Sequence, residues 1–461
     1  MKVKRLKMQS FRGIGDLTLE FYEAEPTVFI GINGVGKSSI LDCLAILLSQ
    51  LIGRIASDQD KFTPANQSIN ISGSQINIQG YIYGNVNLYS DNSNQSRSFG
   101  EQNSKIRDFS AQDITNGCEE TYNEIQVLLD SLSVNWFLKN TLKENSKNLN
   151  NYQHELKTVV EEIHSQWQKN PETNLPLAVY YRVNRAVVDI SLDISKDYSF
   201  EQIDAYEQAL NGIQISFSTF FQWFRTLEDL ENEKRRDTSS YRSQQLEAAR
   251  QAIYSLIPYF SNLRVRRSPL RMTVQKQGQE FIINQLSDGE KCLLAMVGDL
   301  ARRLAIANPS LSDPLQGSGV VLIDEIELHL HPKWQREIIP ALTRTFPNCQ
   351  FIVTTHSPQV ISQVKPEGIY ILEKTDEGVV AKRPKSSFGR DSNRILEDLM
   401  GVPARPQKIK ESLLELFRLI DAGNIEGARK LRQQLANEIG ADEPEFVKAD
   451  VLIRRKEIIN R

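Results

Sequence analysis

The chain has 461 residues, of which 40% are hydrophobic and 25% charged, with a net charge of −3 and a pI near 6.1. These values are those of a soluble globular protein, argue against a globally basic nucleic-acid coat while leaving room for local basic patches, and allow roughly two to four domains. The four cysteines (Cys43, Cys118, Cys292 and Cys349) show no C-x-x-C spacing, no signal segment follows the basic start, and no uninterrupted apolar run reaches transmembrane length; a reducing cytoplasm and no membrane are expected.

Residues 1–30 alternate as a hairpin, with Val3–Met8 and Leu17–Phe21 flanking a turn at Arg12–Asp16. The apolar run Thr27–Ile30 predicts a buried strand, and residues 39–52 predict a helix. Between them Gly31-Ile32-Asn33-Gly34-Val35-Gly36-Lys37-Ser38 has the G-x-x-x-x-G-K-[ST] spacing of a phosphate loop. Its glycines let backbone N–H groups of Asn33, Gly34, Gly36 and Ser39 turn toward phosphate oxygens. Lys37 can reach the β- and γ-phosphates of ATP, and Ser38 can hold Mg²⁺. The helix N-terminus adds a favourable dipole. Arg5 and Arg12 lie close in sequence to the phosphate-loop strand, so each is either a nucleotide contact or a solvated strand charge; Arg12 is a nucleotide-binding candidate.

From residue 57 to 118 the composition shifts to Asn, Ser, Gln and Gly. Within it, residues 68–80 alternate Ile with small polar residues, which predicts short strands that pair with another copy or a partner, or else an extended surface loop. Residues 119–168 are read as helical, with Glu124, Ile125, Leu128, Leu129 and Leu132 on one stripe. Leu177–Val183 predicts an apolar strand with Asn184 and Arg185 at its exit. Residues 200–258 again read as largely helical, with a core aromatic patch at Phe220–Phe224 and a solvated charged run at Glu228–Asp237. Residues 262–284 predict two strands around Gln277-Gly278, the first carrying Arg264, Arg266, Arg267 and Arg271; these arginines either track phosphates or are ion-paired on a strand face.

Gln285–Lys291 precedes an amphipathic helix over 292–307. The Ser287 hydroxyl and the small turn at Gly289 offer a second anion site at a helix start. Gly319–Ile323 predicts a buried strand ending in Asp324 and Glu325, the pattern in which the Asp serves Mg²⁺ and the next acid polarises water. Glu327, His329, His331 and Pro332 come next. The two histidines lack a third N or S ligand nearby, which argues against a metal site. Residues 349–354 predict another buried strand, and His356 at its end is suited to a donor or proton-handling role beside a γ-phosphate.

The order of GINGVGKSS, LSDGEK, VVLIDEIELHLHP and IVTTHSP resembles the ABC-type ATPase heads of the SMC, RecF and OLD group, as does the N-terminal stretch. The resemblance implies Leu286–Lys291 as the signature motif, Asp324 as the Walker B acid, Glu325 as the catalytic acid, Glu327–His331 as the D-loop region and His356 as the switch histidine. It implies two heads sandwiching two nucleotides, with Ser287 of one facing the phosphate loop of the other. Asp288 and Glu290 depart from transporter heads, which carry Gly and Gln there, and the Q-loop glutamine is not placed. No heptad arms appear, and Ile371–Lys374 lacks the Gly and Asp that a Toprim nuclease would supply. More narrowly, YYRVNRAV, FQWFRTLEDLENE, FSNLRVRRSPL and the helical region 408–459 are similar to the ATPase subunits of Septu-type anti-phage systems and some retron-linked relatives. That resemblance implies a separate HNH nuclease partner and multimeric assembly, with nucleic acid met directly or through the partner. Gly389–Arg394 and the stripe Ile409, Leu413, Leu416, Phe417 and Ile420 are then docking candidates, or a capping helix pair.

The expected fold is α/β, an ABC-type P-loop ATPase head with antiparallel N-terminal strands, helical insertions and a helical C-terminal tail. The expected division is an N-terminal lobe of the head at 1–56, an insert at 57–118, a helical insertion at 119–175, a C-terminal lobe at 176–400 with a helical subdomain at 200–258, and a helical region at 401–461. The expected function is an ATP-dependent regulatory subunit of a defence complex. Two alternatives stand beside it: a RecF/SMC-type repair ATPase acting on DNA directly, and a nucleotide-binding scaffold with little turnover.

Overall fold

The computed structural model describes residues 1–57, 106–142, 154–185, 200–212, 214–376 and 378–459. The strands expected at 68–80 lie outside the described residues. The chain divides into two compact units, Met1–Phe388 and Gly389–Arg461, so the division falls earlier than residue 401.

The first unit begins with strands β1 (Lys2–Phe11) and β2 (Ile14–Glu20), paired antiparallel with Phe11 opposite Ile14. Arg12 and Gly13 both have positive φ, +47° and +84°, which is what a two-residue turn matching strand twist demands. Strand β3 (Thr27–Ile30) leads through the glycine-rich loop into helix α1 (Lys37–Ser57). By length and composition α1 would qualify to cross a membrane, yet its window is 83% buried inside the head, because it is packed on most of its circumference.

The region expected to be helical over 119–141 is instead an antiparallel pair, β4 (Glu120–Leu129) and β5 (Leu132–Thr141); only α2 (His154–Lys169) is a helix there. Burial in β4 alternates, with Thr121, Asn123, Ile125 and Val127 inward. A period of two, not 3.6, governs it because β4 pairs along β1, Ile125 opposite Leu6. The first sheet is thus four-stranded, in the order β2-β1-β4-β5.

Next come β6 (Leu177–Tyr181), α3 (Phe217–Asp237) and α4 (Gln244–Leu256). The basic segment forms three strands rather than two: β7 (Phe260–Arg267), β8 (Leu270–Lys276) and β9 (Gln279–Ile282). The added reversal falls at Ser268-Pro269, between β7 and β8. The chain continues through α5 (Asp288–Ala307), β10 (Gly319–Ile323), α6 (Pro332–Thr345), β11 (Cys349–Thr354), the short α7 (Pro358–Ile361), and the hairpin β12 (Ile369–Thr375) and β13 (Gly378–Lys382).

The central sheet has six strands in the order β13-β12-β3-β11-β10-β6, parallel except for β13. Strands β3, β6, β10 and β11 are buried along their whole length. A parallel strand covered on both faces needs such an unbroken apolar run, which is why these were readable without alternation. Adjacent parallel strands present their carboxyl ends together, so β3, β11 and β10 deliver the phosphate loop, His356 and Asp324 to one edge.

The second unit holds α8 (Ser392–Asp398), α9 (Gln407–Asp421), α10 (Ile425–Ile439) and α11 (Pro444–Ile459). Leu413, Leu416 and Ile420 pack with Leu435, Phe446 and Ile453 in its own core. The apolar stripe proposed for docking is therefore largely internal: three amphipathic helices need those side chains to close their own bundle. Arg390 pairs with Asp398, and Asp391 caps α8.

Candidate nucleotide site

The phosphate loop starts where β12 crowds it. A Cβ on Gly31 would lie 2.6 Å from the Leu372 carbonyl, so a side chain is excluded there. Gly34 and Gly36, at φ +78° and +107°, adopt backbone conformations that L side chains resist. Asn33, Gly34 and Ser38 are exposed, whereas Val35 and Lys37 are buried and anchor the loop. The Lys37 ammonium donates to the Gly31 and Ile32 carbonyls at 2.9 and 3.0 Å. Burial draws its pKa below the ordinary lysine value, while Asp324, Glu325 and Glu327 act in the opposite direction.

Asn33, Gly34, Gly36, Lys37, Ser38, Ser39, Asp324, Glu325, His356 and Arg12 all line one cleft of about 420 Å³. Asp324 accepts from the Thr354 hydroxyl at 2.6 Å, and the same hydroxyl accepts from the Glu325 N–H at 2.7 Å. Behind them buried Arg185 donates to the Asp324 carbonyl at 2.5 Å and also to the Glu325 carbonyl. Glu325 sits at φ +48°, a left-handed conformation costly for a non-glycine residue, held on both sides by these bonds. Glu327 accepts from the Thr355 hydroxyl and the His356 N–H, tying the segment after β10 to the His356 strand end.

Arg12 lines the cleft, but its Nε donates to Asp113 at 2.6 Å and its Nη1 to Asp42 at 2.5 Å. Asp42, buried in α1, also receives Arg182. Arg12 is thus part of an ion-pair cluster joining the β1–β2 turn to the phosphate-loop helix. Asp42 carried a signal that sequence reasoning missed: a lone carboxylate inside an otherwise apolar helix must find cations. Thr354 had no local signature, since its hydroxyl bonds Asp324 and Glu325 at the end of a neighbouring strand.

Ser287 and Gly289 do not reach this cleft. They line a separate groove of about 880 Å³ with Tyr259, Lys276, His329 and Trp334. Ser287 caps α5 through a capping box with Glu290, whose carboxylate also accepts from the Ser287 hydroxyl at 2.9 Å and pairs with Lys276 at 2.7 Å. Burial opposes ionisation of Glu290, yet Lys276, the Ser287 N–H and hydroxyl and the Tyr259 hydroxyl outweigh it and hold its pKa below the ordinary value. A Cβ on Gly289 would meet the His329 carbonyl at 2.4 Å, so the start of α5 and the segment around His329 of one chain are in close contact. His331 caps α6, its Nδ1 accepting from the Lys333 N–H.

A strand–phosphate loop–helix at the carboxyl edge of a parallel sheet, with paired carboxylates and a histidine from neighbouring strands and a serine-glycine signature apart from them, defines an ABC-type P-loop ATPase head. Residues 27–362 match the family described as "AAA domain, putative AbiEii toxin, Type IV TA system", and the chain belongs to that family. It is 28% identical to "Retron Ec83 probable ATPase" of Escherichia coli, over 99% of this chain and 87% of the relative. It is 23% identical to "Septu protein PtuA" of Bacillus thuringiensis, over 92% of this chain and 90% of that protein. These two relatives bear out the resemblance drawn from the motifs. Among solved structures the "SMC head domain from Thermotoga maritima" is similar at a TM-score of 0.39 and 14% identity, over 84% of this chain and 100% of that one.

Proposed function

We propose that this chain is the ATP-hydrolysing subunit of a cytoplasmic bacterial anti-phage defence complex, and that nucleotide-dependent pairing of two heads controls a separate HNH nuclease partner. The observation that carries the pairing is the separation of Ser287 and Gly289 from the cleft holding Lys37, Asp324 and Glu325. One head has both halves of a shared site but does not join them, so a second copy completes it. The defence setting rests on the retron and Septu relatives.

In this reading the N–H groups of residues 33–39 receive the triphosphate, and Lys37 leaves the Gly31 and Ile32 carbonyls to reach its β- and γ-oxygens. The Ser38 hydroxyl and Asp324 carboxylate are hard oxygen donors that suit Mg²⁺, which when bound neutralises charge on the β- and γ-phosphates. Glu325, its backbone pinned by Thr354 and Arg185, accepts a proton from the attacking water. His356 donates a hydrogen bond to the γ-phosphate.

Direct action on DNA draws on the basic hairpin, and its arginines are largely committed: Arg264 and Arg266 to Glu280, Arg267 to Glu228 and Asp229. The test is co-purification with an HNH nuclease encoded beside this chain, followed by nuclease assays with ATP, with ADP and with Lys37→Ala. Nuclease activity that changes with nucleotide and no longer does so in Lys37→Ala is expected. A nuclease that is absent from the complex, or indifferent to nucleotide, overturns the reading.

A further inference from the structure

We propose that Lys374 binds the α-phosphate and ribose end of the nucleotide, and that the β12–β13 hairpin forms a nucleoside subsite with the β1–β2 turn. This rests on the nucleotide reading of the phosphate-loop cleft. Strand β12 runs parallel to β3 with Ile371 opposite Ile30, and Lys374, three residues further, lines the cleft with Asn33 of the loop. It lines the cleft together with Val379, its partner across the hairpin, and with Arg12 and Gly13 of the other turn. The two hairpins touch closely: a Cβ on Gly378 would lie 2.9 Å from the Gly15 nitrogen.

The sheet order decides which part of the nucleotide this wall meets. Asp324 and His356 lie just beyond β10 and β11, on one side of β3, whereas β12 flanks β3 on the other. Asp324, by holding Mg²⁺, would set the terminal phosphate on that side, next to Glu325, so the opposite side faces the α-phosphate and the sugar. Lys374 is exposed. Its neighbour Glu373 is paired with Lys382, and among the described residues no carboxylate pairs with Lys374. Arg12, by contrast, is held by Asp42 and Asp113. An exposed ammonium beside a buried valine suits a ligand with an anionic oxygen next to an apolar ring.

The experiment measures equilibrium binding of ATP and ADP to the full chain carrying Glu325→Gln, which suppresses turnover, with Lys374→Ala or Lys37→Ala added. Lys374→Ala is expected to weaken ATP and ADP by the same factor, about tenfold for a lost charge-assisted bond. Lys374→Arg should recover most of that loss. In the hydrolysing chain the deficit should fall on KM rather than kcat. The proposal is overturned if Lys374→Ala binds both nucleotides as the parent does while Lys37→Ala loses them, and equally if Lys374→Ala weakens ATP but not ADP. Should Lys37→Ala keep full ATP affinity, the nucleotide reading fails and this inference fails with it.

Discussion

Two helix N-termini in this chain, at Lys37 and at Asp288, come after short segments of glycine and serine and are finished differently. At α1 the loop leaves Asn33, Gly34 and Ser38 exposed, with lysine and carboxylates gathered round them in a single cleft. At α5 the Ser287 hydroxyl and N–H are already satisfied by Glu290, itself held by Lys276 and Tyr259. An open helix start leaves N–H groups that can take an anion. A start closed by its own capping box is a rigid surface. In the proposed function the α1 end receives phosphate, and the α5 end is the face presented to a second copy's site.

The comparison breaks most directly at Glu325. Glu325→Gln should lower steady-state phosphate release by about 10³-fold while ATP still binds; wild-type turnover in that variant would remove Glu325 as the base and favour a scaffold that scarcely hydrolyses.

The anchoring of α5 is tested at Asp299, a buried residue of that helix which accepts from Tyr181 and pairs with Arg302 and Arg303. Burial opposes its ionisation, but Arg303 and Arg302 outweigh burial and hold its pKa at about 2, below the ordinary 3.8. A depressed carboxylate pKa stabilises the fold above the unfolded value, and that contribution is lost as pH falls from about 3.8 toward 2. Asp299→Asn should cost about 3 kcal/mol near neutrality, by stranding the arginines, and should flatten the acid limb of a stability-against-pH curve. An unchanged acid limb would show that the pair does not anchor the signature helix.

The role of the α5 end is sharpened by Ser287→Arg. With ATP binding to each chain intact, turnover should fall about 10²-fold, and the wild-type dependence of specific activity on protein concentration should vanish. If specific activity is independent of concentration in the wild type, one head suffices and the contrast between the two helix ends loses its meaning. The smallest effect is expected for Gly289→Ala. Its methyl would press on the His329 backbone, shifting the D-loop region and lowering turnover about tenfold without altering ATP affinity. Unchanged turnover would mean that the two segments move independently.

How legible each part was depends on how local its physics is. The phosphate loop, the strand ends at Asp324 and His356, and the Ser287 helix start were readable because glycine placement, capping and unbroken apolar runs act over a few residues. Residues 119–141 were misread because Ile125, Leu128, Leu129 and Leu132 satisfy a helical stripe while Thr121, Asn123, Ile125 and Val127 satisfy a strand. Pairing with β1, more than a hundred residues earlier in the chain, decided between them. The division of labour among arginines was illegible for the same reason, since the carboxylates that claim Arg12, Arg264 and Arg267 come from other elements.

By itself the sequence determined that a phosphate-loop motif follows a buried strand, that two acids and a histidine stand at strand ends, and that the head belongs to the ABC type. Only the tertiary structure decided that Arg185 and Thr354 pin Glu325, that Lys374 lines the cleft beside the loop, and that Ser287 faces a groove of its own. Motif chemistry is written in spacings along the chain, whereas charge pairing and the separation of the two half-sites depend on strand order and register, which bring together residues that sequence distance keeps apart.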